Sequence, residues 1–156
     1  MSSHAFQDQM DGNFCFGCGA DNPDGLQIKS FWEGDEALCL FQPQPHHAAG
    51  PRHVLNGGII ATIIDCHTVC TAMADAYRRE GREVGAPPDL WYATGSLVVR
   101  YKRPTPLAGP VELRARVLAV DDRRTQLECR LIAAGKICAE GEVEAVRVPT
   151  AWRHGQ

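Results

Sequence analysis

One stretch of this chain combines residue types and spacing that fit acyl-transfer chemistry. Asn56, Gly57 and Gly58 stand at the start of a long apolar segment, and Asp65 follows about two helical turns later. The first N–H groups of a helix have no internal partner, and glycines would let a carbonyl oxygen approach them closely. Such N–H groups stabilise the negative charge that develops on that oxygen. We therefore interpret the stretch as an oxyanion site followed by a catalytic carboxylate.

Asp65 is the one acid between Gly57 and Ala74, in a segment that is apolar nearly all round. An unpaired carboxylate on a buried helix costs free energy, so it needs either a partner or a function. The alternative to catalysis is a structural acid paired with Thr62, His67 or a strand residue. His67 itself lies on the core stripe of the segment, which favours a hydrogen-bonded core histidine over a catalytic base.

The length of the helix limits how these groups can cooperate. Gly57 and Asp65 are eight residues apart, which is about 12 Å along the axis at about 1.5 Å per residue. The two groups of a single helix therefore cannot both reach the same carbonyl carbon. If both act, they come from two subunits whose helices run antiparallel across a two-fold axis. The sequence thus predicts a homodimer with two composite sites, and leaves open whether dimers pair into a tetramer.

The elements that position these residues follow from the hydrophobic pattern. Residues 57–79 are predicted as one buried helix because their apolar side chains form two neighbouring stripes. Strands are predicted at residues 26–32 and 37–41 before the helix, and at residues 91–103, 111–120, 125–133 and 137–148 after it. This order indicates an α+β fold in which a curved antiparallel sheet covers the helix. Residues 14–150 form the single domain, residues 1–13 a polar lead-in that could fray, and residues 151–156 a tail.

These motifs together resemble the hot-dog thioesterases of the PaaI-like and 4-hydroxybenzoyl-CoA groups. The family pattern places an acid nine residues after the His of a His-Gly-Gly start, which is the spacing from Asn56 to Asp65. Residues 94–104, TGSLVVRYKRP, are similar to the first family strand after the helix. The opening CFGCG from residue 15, followed by NP and GL at residues 22–26, is similar to the start of many members. The resemblance covers roughly residues 14 to 148.

The resemblance implies a hot-dog fold and hydrolysis of an acyl- or aryl-CoA thioester to the free acid and CoA. Asp65 would be the nucleophile or the general base, and the Gly57 N–H would be the oxyanion donor. Thr94 would help to place the water or the carboxylate. Pantetheine would run through a tunnel at the interface between subunits.

Two positions depart from the family pattern. Asn56 stands where members carry the His, and its amide can donate a hydrogen bond but cannot supply imidazole chemistry. Gly50 stands where many members carry an Asn, so one polar contact could have moved to Asn56 or His53. Asn is also a preferred helix N-cap, a role that is compatible with catalysis.

Five residues are predicted to bind the substrate: Gly58, His53, Arg100, Lys102 and Arg103. The three basic residues form a cluster that fits the phosphates of CoA as well as a solvated strand end. Two other functions stay open. One is a non-catalytic acyl-CoA-binding hot-dog module, which the Asn in place of His favours. The other is an enoyl-CoA hydratase or dehydratase, whose overhanging Asp/His motif the sequence does not show.

The composition excludes several classes of protein. The net charge of -3 argues against a duplex nucleic-acid binder. The apolar stretch at residues 59–74 falls short of about 18 uninterrupted apolar residues, which argues against a membrane span. The chain has seven cysteines, an odd number, and its first residues are polar. We therefore expect reduced thiols in the cytoplasm rather than a disulfide framework.

The cysteines also raise the question of a metal. Cys15-x-x-Cys18 has the spacing of half a zinc site, but a structural zinc needs four ligands. His46 and His47 are the nearest candidates for the other half, and their spacing is unconvincing. The prediction is therefore no metal and no cofactor, with CoA present as part of the substrate.

Overall fold

The computed structural model describes residues 4–155, and its central element is the predicted long helix. Helix α1 spans Gly57–Arg79, the bounds that the hydrophobic pattern predicts. Ile63 and Ile64 are completely buried, and burial of each such side chain contributes roughly 1.5–3 kcal/mol of transfer free energy. The helix ends just before Gly81, whose φ of 67° is left-handed and suits glycine.

Six antiparallel strands wrap around α1. They are β1 (Ser30–Glu33), β2 (Glu36–Phe41), β3 (Trp91–Tyr101), β4 (Val111–Val120), β5 (Arg124–Ala133) and β6 (Lys136–Val148). Their order in the sheet is β1-β2-β4-β5-β6-β3, so β1 and β3 are the edge strands. Alternate residues of the central strands, such as Leu113 in β4 and Leu127 in β5, are buried against the helix. The predicted α+β hot-dog fold is confirmed.

The ends of some strands differ from the prediction. The first strand begins at Ser30 rather than at residue 26. The N–H groups of Leu26 and Ile28 donate to the loop carbonyls of Phe16 and Gly17, so this segment is tied to the N-terminal loop and not to a neighbouring strand. Strands β3 to β6 begin and end within two residues of the predicted positions.

The described parts of both chain ends pack against the domain. Phe6 and Met10, in the predicted lead-in, are buried. Residues Thr150–Arg153, predicted as a tail, form a short helix α2. The guanidinium of Arg153 lies 4.1 Å from the centre of the Trp91 ring. These contacts fold residues 4–13 and α2 onto the domain rather than leaving them as free ends.

Helix α1 is long and apolar enough to cross a membrane by length and composition alone. In the structure, 67% of its most apolar window is buried inside the protein. Its apolar character is therefore accounted for by its place at the centre of the sheet.

Candidate active site

The start of α1 presents one backbone donor that the helix does not use. The Oδ1 atom of Asn56, the N-cap, accepts hydrogen bonds from the N–H groups of Gly58 at 2.7 Å and Ile59 at 3.1 Å. Among residues 4–155, the Gly57 N–H donates no hydrogen bond to another group of the protein. Asn56 and Gly58 are exposed and Gly57 is half-buried. An oxygen atom of a ligand can therefore reach this N–H.

Tyr101 contacts the same turn of the helix, and sequence reasoning missed it. Its hydroxyl, at the end of β3, donates to the Gly57 carbonyl at 2.7 Å. A Cβ atom on Gly57 would lie 3.6 Å from the Tyr101 ring, which is ordinary van der Waals contact. The sequence signal that would have identified Tyr101 is the alternation of side chains along β3, which places Tyr101 on the same face as Leu97 and Val99.

The second polar group of the site is the pair formed by Asp65 and Thr94. The Thr94 hydroxyl on β3 donates to Asp65 Oδ1 at 2.7 Å. Burial raises the pKa of the Asp65 carboxyl above its ordinary value, while the hydrogen bond from Thr94 lowers it in part and the nearby Cys18 raises it further. Asp65 is half-buried and Thr94 is exposed. The carboxylate is therefore oriented by one donor and still accessible to a substrate.

A β-bulge in β3 accompanies Thr94. The register of β3 against β6 shifts between Thr94 and Ser96, so Gly95 is the extra residue. A Cβ atom on Gly95 would lie 2.7 Å from Val146 Cγ2, so a larger residue at the bulge would have to displace the Val146 side chain. Bulges bend a strand and re-aim its side chains, often beside active sites. This bulge lies directly after the residue that contacts Asp65.

The other buried acid–base candidate on α1 has a structural role. His67 is completely buried, and its Nδ1 lies 2.7 Å from Ser30 Oγ while its Nε2 lies 3.0 Å from the Ala37 carbonyl. Burial lowers the pKa of His67 to about 4. It is a neutral core histidine with both ring nitrogens paired, as the sequence favours.

The predicted basic cluster divides between two places. Lys102 and Arg103 line a groove of about 430 Å³ beside Gly57 and Tyr101. Arg100 lies outside the residues that line this groove, and it pairs with Glu142 at 3.4 Å on the exposed surface. Lys102 also lies 4.0 Å from Glu140, a distance at which exposed charges attract weakly.

His53, the last predicted binding residue, lies in the loop before α1. It is exposed, and its carbonyl accepts a hydrogen bond from the Leu107 N–H at 2.9 Å. The loop is thereby fixed to the segment after β3, close to the start of the helix.

These groups can carry out acyl transfer on a thioester. A thioester carbonyl is electrophilic and a thiolate is a good leaving group, so one carboxylate and one or two N–H donors suffice. The residues present are a carboxylate with an orienting hydroxyl and a free N–H at a helix start. They lie about 12 Å apart along one helix, so a single chain presents the two halves of such a site separately.

Comparison with known proteins identifies similar chains. No family model matches the sequence. A thioesterase superfamily protein from Shewanella loihica PV-4 shares 32% identity and a TM-score of 0.63, over 78% of this chain and 91% of that one. The PaaI protein of E. coli, from the phenylacetic acid degradation operon, shares the fold with a TM-score of 0.64 at 12% identity, over 80% and 81% of the two chains.

A curated relative extends the comparison to a protein with a stated activity. The chain is 33% identical over 94 residues to the acyl-coenzyme A thioesterase THEM4 of Xenopus laevis. The match covers 60% of this chain but spans only 36% of the length of that relative.

Proposed function

The chain belongs to the thioesterase superfamily of hot-dog proteins, and from this membership we propose that it hydrolyses an acyl-CoA thioester to the free acid and CoA. The activity of the THEM4 relative supports CoA as the thiol portion. The observation that carries the proposal is the Asp65 carboxylate, half-buried and oriented by the Thr94 hydroxyl at 2.7 Å. A half-buried carboxylate that a hydroxyl orients at an accessible surface is typical of functional sites.

Asp65 has two possible chemical roles in this proposal. As a general base, it takes a proton from a water molecule whose oxygen adds to the thioester carbonyl. As a nucleophile, it adds to the carbonyl itself and forms a mixed anhydride that water then hydrolyses. In both routes the tetrahedral oxyanion collapses, the C–S bond breaks, and the CoA thiolate leaves and takes up a proton.

The Gly57 N–H is the proposed oxyanion donor. The cap formed by Asn56 occupies the next two N–H groups and leaves this one without an acceptor. It also lies at the positive end of the α1 dipole, where developing negative charge is stabilised. The hydrogen bond from Tyr101 to the Gly57 carbonyl fixes the peptide next to it.

The CoA portion would follow the groove beside the helix start. Lys102 and Arg103 line that groove together with Gly57, so a ligand whose carbonyl meets the Gly57 N–H would have its phosphates near two positive charges. Arg100 lies outside this path in the single chain. It pairs there with Glu142 on the exposed surface.

The test of the proposal is to measure the release of CoA thiol from a panel of aryl-CoAs and of aliphatic acyl-CoAs with short to long chains. Asp65→Asn should lower kcat by about 10²–10⁴, the usual contribution of an acid–base residue. The matched control is Asp75→Asn, the same substitution on the same helix at an acid that pairs with Arg79, and it should keep wild-type turnover. Hydrolysis by Asp65→Asn at the wild-type rate would contradict the proposed mechanism.

The second candidate is a protein that binds acyl-CoA without hydrolysing it. The observation that favours it is Asn56, whose side chain is occupied as the helix cap at the position where the family carries His. Calorimetric titration with a non-hydrolysable acyl-CoA thioether, alongside the thiol-release panel, separates the two. Binding with no turnover on any substrate would support this candidate against the thioesterase.

A further inference from the structure

Four cysteines come together where the N-terminal loop crosses helix α1, and none of them takes part in the proposed hydrolysis. Cys15 and Cys18 are in the loop, and Cys66 and Cys70 follow each other by one turn of α1. The sulfurs of Cys15, Cys18 and Cys66 all lie within 4.8 Å of one another. Cys70 lies outside that group of three, one helical turn after Cys66 and next to Cys18. We call these four residues the thiol cluster.

The loop is shaped to bring its sulfurs onto the helix. A Cβ atom on Gly17 would lie 2.3 Å from the Cys66 sulfur, so the backbone passes closer to α1 than any other residue would allow. A Cβ atom on Gly19 would lie 2.4 Å from the Cys15 backbone nitrogen. The Gly19 N–H donates to the Cys15 carbonyl at 2.8 Å. Two glycines thus close a tight turn around the Cys-x-x-Cys pair.

The spacing of the sulfurs fits a tetrahedral metal site better than a disulfide. Zinc–sulfur bonds of about 2.3 Å place the sulfurs of a tetrahedron about 3.8 Å apart. The sulfurs of Cys15 and Cys66 are 3.6 Å apart, whereas a disulfide bond is about 2.05 Å long. Cys-x-x-Cys is a chelating pair, and cysteines four residues apart share one helix face. The cluster therefore contains two pairs of donors that face each other.

A polar group beside the cluster favours negatively charged sulfur. The Asn13 side-chain amide donates to the Cys18 sulfur at 3.5 Å. Amide donors to ligand sulfurs are the usual outer partners of thiolate metal sites.

We propose that Cys15, Cys18, Cys66 and Cys70 bind one zinc ion that fixes the N-terminal loop to helix α1. Binding replaces the thiol protons by zinc–sulfur bonds and releases those protons, with no change of oxidation state. Zinc is favoured over magnesium or calcium because cysteine thiolates are soft donors. Cys66 directly follows Asp65, so the ion would anchor the helical turn that carries the proposed catalytic carboxylate.

The structure supplies the pair of ligands that the sequence left undecided. The sequence suggested His46 and His47 as partners of the Cys-x-x-Cys motif, but His47 is stacked on Phe41 and its Nδ1 accepts from the Gln44 N–H at 2.9 Å. The second pair is instead in α1, about 50 residues after the first. The prediction of no metal, made from the sequence, is replaced by this proposal.

The test starts with the wild-type chain, purified without chelators and without a metal-binding tag. Inductively coupled plasma mass spectrometry should find one zinc ion per chain. Replacement by cobalt(II) should give sulfur-to-cobalt charge-transfer bands and the strong visible bands of a tetrahedral ion. Cys15→Ser and Cys66→Ser should each weaken zinc binding at least tenfold. Cys138→Ser is the matched control, since its sulfur contacts the Ala133 and Lys136 carbonyls, and it should keep full zinc.

Three results would overturn the proposal. The first is a wild-type chain that contains no zinc and gives no tetrahedral cobalt spectrum, a measurement that does not depend on whether the variants fold. The second is equal zinc content in Cys66→Ser and Cys138→Ser. The third is an intact mass two hydrogens lower than the reduced chain, with Cys15 joined to Cys66. None of these results bears on hydrolysis, so the zinc site and the proposed function stand or fall separately.

Discussion

In the proposed hydrolysis, the hydroxyl of Thr94 determines how the Asp65 carboxylate is presented to a thioester. It donates to one carboxylate oxygen, Oδ1, and so leaves the other free to take a proton or to attack a carbonyl carbon. Gly95, the next residue, is the extra residue of a bulge at which the strand changes direction. Thr94 is therefore a positioning residue that acts through Asp65.

We predict that Thr94→Val lowers kcat about tenfold or more while KM stays near the wild-type value. The reason is that a hydrogen bond to a charged group contributes about 1.5–3 kcal/mol, and this one orients a group that acts in the transition state. Thr94→Ser keeps the hydroxyl, so its kcat should fall much less. Steady-state kinetics on the best acyl-CoA of the panel measures both. A rise in KM with unchanged kcat would show that Thr94 binds substrate instead.

At the scale of the element, the start of α1 combines a structural cap with a free donor. Asn56 has φ -59° and ψ 133°, and its side chain satisfies two of the first N–H groups, a contribution of about 1 kcal/mol to helix stability. Among the described residues the Gly57 N–H donates no hydrogen bond, which leaves it for the proposed oxyanion. The same residue that replaces the family His thus holds the helix start in the shape that exposes this donor.

We predict that Gly57→Pro abolishes most of the turnover without unfolding the protein. Proline is favoured at the first helical position, and the ψ of Asn56 is already in the range that a following proline requires. The substitution removes the N–H, and loss of one oxyanion donor costs about 10²–10³ in kcat. The control Gly57→Ala keeps the N–H and adds a methyl group in ordinary contact with Tyr101, so its loss should be far smaller. Thermal unfolding should give similar Tm values for both.

The elements show which parts of this protein a sequence can predict. The bounds of α1 were predicted because its signals are local, namely an Asn cap, a continuous apolar pattern and a glycine stop. The bulge at Gly95 was not predicted, because it depends on the register of β3 against β6. The contact between Cys15 and Cys66 was also not predicted. The two residues are 51 positions apart and meet only when the loop packs on the helix.

At the scale of the whole molecule, the free edge of the sheet explains how two distant groups could form one site. Strand β3 is an edge strand of 11 residues, and Val98 on it is 41% exposed. A long edge strand with exposed apolar residues tends to pair with another chain. Thr94 lies on this strand, so pairing of two β3 edges would bring a second subunit beside the Asp65 carboxylate.

This geometry leads us to predict that two inactive variants restore activity to each other. Asp65→Asn and Gly57→Pro subunits, unfolded together in equal amounts and refolded, would form heterodimers. In a composite arrangement, each heterodimer has one site with an intact Asp65 and an intact Gly57 N–H from different subunits, and one site that lacks both. Random pairing makes half of the dimers mixed, so activity should recover to about a quarter of wild type.

The matched control is each variant refolded alone, which should stay inactive, and size-exclusion chromatography should show that all samples are dimers. If each site instead lay within one subunit, every subunit in the mixture would lack one essential group and no activity would return. The mixing experiment therefore depends on the 12 Å or so that separate Gly57 from Asp65 along one helix. A recovered rate would assign the carboxylate and the oxyanion donor to opposite subunits, which no single-chain variant can do.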